Sequence, residues 1–129
     1  MTNLSPLKIA SYRSALDAFA SATKTLEEPI EFIDVPYADG DLPGLFVRGC
    51  GPGPRPCLVF FNGYDVTKEF LYLMGVGGLS ERGISVLLCD QPGSGGALRV
   101  HGQPTRFDME VPARACFDAM AASTRAESP

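Results

Sequence analysis

The 129-residue chain holds one histidine and three lysines, and its eight arginines are scattered rather than clustered. With a formal net charge of −4 and a pI near 4.9, it lacks the basic patch that nucleic-acid binders use to neutralise phosphates. No nucleic-acid partner is expected. The four cysteines, at 50, 57, 89 and 116, form no C-x-x-C pair, and His101 has no ligand-type residue four positions on. That spacing argues against a zinc centre. Cys57 and Cys89 fall inside apolar runs, where a reduced thiol acts as a small hydrophobe. No apolar stretch approaches the roughly 20 residues of a membrane-spanning helix. The opening MTNLSPLKIA has no charged segment leading into an apolar one. The expectation is a soluble cytoplasmic protein without a membrane partner. The sequence also contains no G-x-S-x-G.

Apolar residues make up 45% of the chain, enough for one domain with a real core. Ser5-Pro6 reads as an N-cap followed by proline in the first turn of a helix. Ile9, Tyr12, Leu16 and Phe19 then recur at spacings of three and four. Glu27-Glu28-Pro29 ends that helix, because proline disfavours the α region at the preceding residue. The period then changes to two over Ile30–Val35, and Ala38-Asp39-Gly40-Asp41 reads as a hairpin turn. Leu45–Arg48 returns antiparallel. After the short CGPGPRP loop, Cys57-Leu58-Val59-Phe60-Phe61 is a continuous apolar run of the kind buried on both faces of a sheet. Thr67–Arg82 reads as one glycine-weakened helix capped by Gly83. Ile84–Cys89 is a second buried strand, followed by a glycine-rich loop from Asp90 to Gly96 and a helix from Asp108 to about Ser123. Strand, helix, strand, helix at these lengths predicts a parallel pair in an α/β fold.

The apolar run at 57–61 ends in Asn62-Gly63-Tyr64-Asp65, and the one at 84–89 ends in Asp90-Gln91-Pro92-Gly93-Ser94-Gly95. The second loop lacks the Gly-Lys-Ser/Thr of a phosphate loop, and its acid precedes the glycines instead of following them by about 20 residues. No nucleotide or other cofactor is expected. An antiparallel hairpin, then β-α-β-α with these two loops, resembles the start of the α/β-hydrolase superfamily. With Leu42-Pro43-Gly44 and Tyr64-Asp65-x-Thr67-Lys68-Glu69, it resembles a branch containing esterase-like proteins, dihydroxypseudooxynicotine hydrolase and fungal hydrolases that shorten polyketides. The match runs over roughly residues 10–122.

The resemblance implies an incomplete α/β-hydrolase fold. Residues 1–28 form a cap-like or packing helix, and 29–129 form the N-terminal half of the hydrolase domain. The later strands, the nucleophile elbow, the acid and the catalytic histidine are all missing. Gly63 and Tyr64 stand where this fold offers one backbone N–H of its oxyanion hole, with Tyr64 as the donor. Asp65 either meets the substrate or serves as an Asx-turn or N-cap. Asp90, Gly93 and Gly95 shape the second loop, and Ser94 is a turn hydroxyl. Lys68 and Glu69 read as solvated charges of a helix's first turn. The expected function is that of a hydrolase fragment, acting on a small-molecule ester, amide or C–C bond only when complete. The alternative is a non-catalytic α/β binding module. The isolated chain is expected to self-associate.

Overall fold

The computed structural model describes residues 5–28, 30–37 and 40–126, the last three as backbone only. Helix α1 spans Pro6–Thr23, with Ser5 as its N-cap accepting from the Lys8 N–H at 3.4 Å. Ile9, Tyr12, Leu16 and Phe19 all come out half-buried, so the stripe is real. No residue of α1 is fully buried. Phe19 packs edge-on to Phe32 and Tyr72, with ring centres 6.3 and 6.0 Å apart.

Strands β1 (Ile30–Tyr37) and β2 (Gly40–Val47) form an antiparallel ladder from Ile30 opposite Val47 to Tyr37 opposite Gly40. Ala38 and Asp39 of the expected turn, like Pro29, lie outside the described residues, but the expected helix stop at Glu27-Glu28-Pro29 is corrected: α1 already ends at Thr23, with Lys24 as its C-cap. β3 is Cys57–Phe61 and β4 is Ser85–Cys89. The sheet order is β1-β2-β4-β3, with β2 antiparallel and β3 parallel to β4. β4 is therefore a central strand, and all five of its residues are buried.

Helices cover both faces. One core joins Val35, Tyr37, Leu42, Leu87 and Cys89 of the sheet to Ala97 in α3 (Gly95–Arg99) and Cys116 in α4 (Glu110–Ala126). The other joins Leu45, Val86 and Leu88 to Leu71 in α2 (Lys68–Leu73), with Phe19, Tyr72 and Leu79 against it. This is an α/β architecture, a mixed four-stranded sheet between helical layers.

Three further local expectations need correction. The single helix over Thr67–Arg82 is split at Gly75 into α2 and a 3-10 turn over Val76–Arg82, because Gly75 takes a left-handed φ of 96°. Gly95 and Gly96 belong to α3 rather than to the loop before it. β3 is not buried on both faces: Leu58 and Phe60 are 40% and 38% exposed, while Leu87 and Leu88 next door are fully buried. An apolar run records hydrophobicity but not position in a sheet, and β3 has β4 as its one neighbour among the described strands.

Glu28 ties the second layer together by accepting from Tyr72 Oη at 2.7 Å and from Ser80 Oγ. Burial, and then the Glu28 carboxylate, push the Tyr72 phenol from 10.0 up to about 12. The unfolded phenol therefore loses its proton first, and stability falls as pH rises between those values. The denaturation midpoint should drop across that window, and Tyr72→Phe should reduce the drop. An identical drop in the variant would refute the assignment.

Candidate functional site

The parallel register sets Phe61 opposite Cys89, so the next residues, Asn62 and Asp90, emerge side by side at the carboxyl ends of β3 and β4. In open α/β sheets, ligand sites gather at that end. Asn62 and Asp90 are buried, at 2% and 0% exposure. Asp90 Oδ1 accepts from Asn62 Nδ2 at 2.7 Å and from the Lys68 N–H at 3.0 Å. Its Oδ2 accepts from Lys68 Nζ at 2.9 Å and from the Gly96 N–H at 2.8 Å. Asn62 Nδ2 also donates to Val66 O at 2.6 Å, and its Oδ1 accepts from the Gln91 N–H at 2.9 Å and Ser94 Oγ at 2.8 Å. The amide is thus used at both ends, and it clasps the 62–66 loop to the 90–94 loop.

Lys68 and Glu69 are not solvated. They are 4% and 8% exposed, and Lys68 Nζ sits 2.5 Å from Glu69 Oε1 as well as 2.9 Å from Asp90 Oδ2. The first turn of α2 docks on the end of β4, so charges that look like surface residues become the partners of a buried acid. Burial alone would lower the Lys68 ammonium, but Asp90 and Glu69 outweigh it and hold the group above its ordinary value. Burial raises the Asp90 carboxyl, against the opposing pull of Lys68 and the Gly96 N–H.

Within this clasp the chain turns outward. Gly63, Tyr64 and Asp65 are exposed, Tyr64 by 84%. Among the described residues neither the Gly63 nor the Tyr64 N–H donates to a protein acceptor. Gly63 has no left-handed φ, and a Cβ built on it would meet nothing within 4 Å. The chain's own packing therefore does not require glycine there. The N-cap of α2 is Thr67, whose side chain accepts from the Phe70 N–H at 3.3 Å, so Asp65 does not cap that helix.

The second loop is built around glycine for identifiable reasons. Gly95 has φ +47°, and a Cβ there would collide with the Asp90 carboxylate. Gly93 has φ +90°, and its Cβ would fall on the Thr105 side chain. Ser94 is more than a turn hydroxyl: at 2% exposure it donates to Asn62 as well as to Gln91 O at 3.0 Å. His101 is exposed after α3, with its N–H on Gly96 O. Asn62, Lys68, Glu69 and Ser94 form the part that sequence reasoning missed. The available signal was an aspartate closing an all-apolar strand, since a buried acid demands partners.

No family model matches the chain. It is 34% identical over 109 residues to the alpha/beta hydrolase xenA of Xenoacremonium sinensis, covering 81% of this chain and 26% of that one. It is 32% identical over 110 residues to the 20-hydroxy-prefusarin hydrolase FUS2 of Gibberella moniliformis, with the same coverage. The chain thus spans about a quarter of the length of the curated relatives it matches. In structure it resembles 2,6-dihydroxy-pseudo-oxynicotine hydrolase, with a TM-score of 0.73 and 24% identity over 85% of this chain and 30% of that one. AbyA5 gives a TM-score of 0.75 at 20% identity, over 91% and 32%. The sequence resemblance is to α/β-hydrolases, and the fold is that of part of one.

Proposed function

We propose that this chain supplies the oxyanion loop of an α/β-hydrolase acting on a small-molecule ester, amide or activated C–C bond. It does not turn over substrate by itself. The observation that carries this reading is the Gly63-Tyr64 segment: exposed, with N–H groups that meet no protein acceptor among the described residues, and held from behind by Asn62. Fixed N–H donors aimed at a developing oxyanion are worth on the order of 10²–10³ in rate each. The open space over Gly63 leaves room for that oxygen, with the Tyr64 N–H as donor and the exposed Asp65 carboxylate reaching the substrate. The relatives matched are hydrolases, which supports the reaction class. No G-x-S-x-G is present in the chain, and Ser, His and acid act as a unit.

The purified chain should show no turnover of activated esters above background. Saturable hydrolysis that survives repurification and vanishes in Gly63→Trp would overturn the inactivity. In a complete protein carrying this segment, Tyr64→Phe should cost less than tenfold in kcat/KM, about 1.4 kcal/mol, because the amide and not the phenol acts. Asp65→Ala should cost more, as expected of an acid that meets substrate.

A further inference from the structure

Two buried polar atoms beside the Asp90 cluster have no partner among the described residues: Tyr12 Oη of α1 and Glu69 Oε2 of α2. Glu69 is more than nine-tenths buried, and its other oxygen already holds Lys68. Tyr12 stands over the same spot. A Cβ on Gly96 would lie 3.2 Å from Asp90 Oδ2 and 3.6 Å from Tyr12 Oη, which puts the phenol above the amide that binds Asp90. The Arg99 guanidinium lies 5.3 Å from the Tyr12 ring centre, over its face. Buried polar atoms left unpaired keep their desolvation cost, and one bond between them removes it twice. Tyr12 Oη can donate, and Glu69 Oε2 can only accept while ionised.

We infer that Tyr12 and Glu69 make the N-terminal helix a positioning element for the oxyanion loop: the phenol closes on Glu69, and docking of α1 is passed through Lys68 and Asp90 to Asn62. The chain of contacts is continuous. Glu69 Oε1 to Lys68 Nζ is 2.5 Å, Lys68 Nζ to Asp90 Oδ2 is 2.9 Å, and Asp90 Oδ1 to Asn62 Nδ2 is 2.7 Å. Asn62 then fixes Val66 O at 2.6 Å, closing the loop that carries Gly63 and Tyr64. Because α1 has no fully buried residue, its hold on the domain is weak enough for one such bond to matter. The perturbed phenol agrees: burial, then Asp90 and Glu69, push Tyr12 well above the ordinary tyrosine range. The helix thereby gains control over the site whose chemistry the proposed function assigns.

The test needs no substrate, so it stands or falls separately from the oxyanion reading on which its significance rests. The Lys68 and Gly96 amides both donate to Asp90 and report on the cluster. Hydrogen exchange on the whole chain should rise about tenfold at these two amides in Tyr12→Phe, which keeps the ring under Arg99, and by a similar factor in Glu69→Gln. The double variant should add nothing further, and exchange at Leu87 and Leu88 in β4 should stay unchanged throughout. The ¹³Cζ resonance of Tyr12 should shift in Glu69→Gln. Additive effects, unchanged Lys68 and Gly96 amides, an unmoved Tyr12 resonance, or a loss of protection spread equally over β4 would each overturn the proposal.

Discussion

Lys68→Met is expected to destabilise the chain by about 3–5 kcal/mol, the range found when one partner is removed from a buried charge pair. Among the described residues Lys68 Nζ is the one cation bonded to both Asp90 and Glu69, and the side chains of Lys68 and Asp90 are 5% and 0% exposed. Methionine fills the volume but leaves both acids buried without their counter-charge, and Asp90 keeps only its bonds from Asn62, the Lys68 N–H and the Gly96 N–H. The direction of the pH response discriminates further. Burial raises the Asp90 carboxyl, and the Lys68 ammonium opposes that rise more strongly than any other neighbour. In the variant the carboxyl therefore rises higher still. A carboxyl whose folded value lies above its unfolded 3.8 binds its proton first in the folded state, and acidification through that window stabilises. Lys68→Met should accordingly recover stability as pH falls from 7 toward 4. Adding Asp90→Asn should reduce the recovery. Urea denaturation at several pH values reads both effects. A loss below about 1 kcal/mol, or a flat pH profile, would show that Lys68 is a solvated surface charge after all.

That outcome also measures how far the sequence could be read. The strands at 57–61 and 85–89 were legible because each is an apolar run closed by turn-type residues, Pro56 and Asn62 in one case and Gly83 and Asp90 in the other. The hairpin was legible from its period of two, and the parallel pairing from the helix between the runs. The Asn62–Asp90 clasp was not. Its members lie 28 residues apart, and they meet only because the β3–β4 register carries two strand ends to one level. Lys68 and Glu69 failed for a related reason: a first-turn charge looks alike on any helix, and only the docking of α2 against β4 makes it internal. Gly63 shows the opposite limit: the space around it is open, so nothing in the chain's own packing explains a glycine there.

The isolated chain should form dimers or larger assemblies that grow with concentration, through the outer edge of β3. Among the described strands β3 pairs with β4 alone, which leaves outward N–H and C=O groups along Cys57–Phe61 as a template for another strand. Nothing blunts this edge: the five residues include no charge and no proline. A second copy pairing antiparallel about Val59 would set Leu58 against Phe60 twice, as a two-fold interface requires. Those two side chains are 40% and 38% exposed on one copy, and cross-strand apolar pairs of this kind contribute roughly 0.2–1 kcal/mol each. The edge and the apolar face thus act together, whereas either alone gives weak association. Leu58→Lys with Phe60→Lys tests the idea at little folding cost, because both side chains already reach solvent and lysine on an edge strand opposes pairing. Light scattering after size exclusion should show the double variant as a monomer at concentrations where the parent chain is not, with an equal or higher melting temperature. A parent chain that runs as a concentration-independent monomer with a sharp melt would mean that the β3 edge is covered. The reading as a self-sufficient binding module would then displace that of a hydrolase segment.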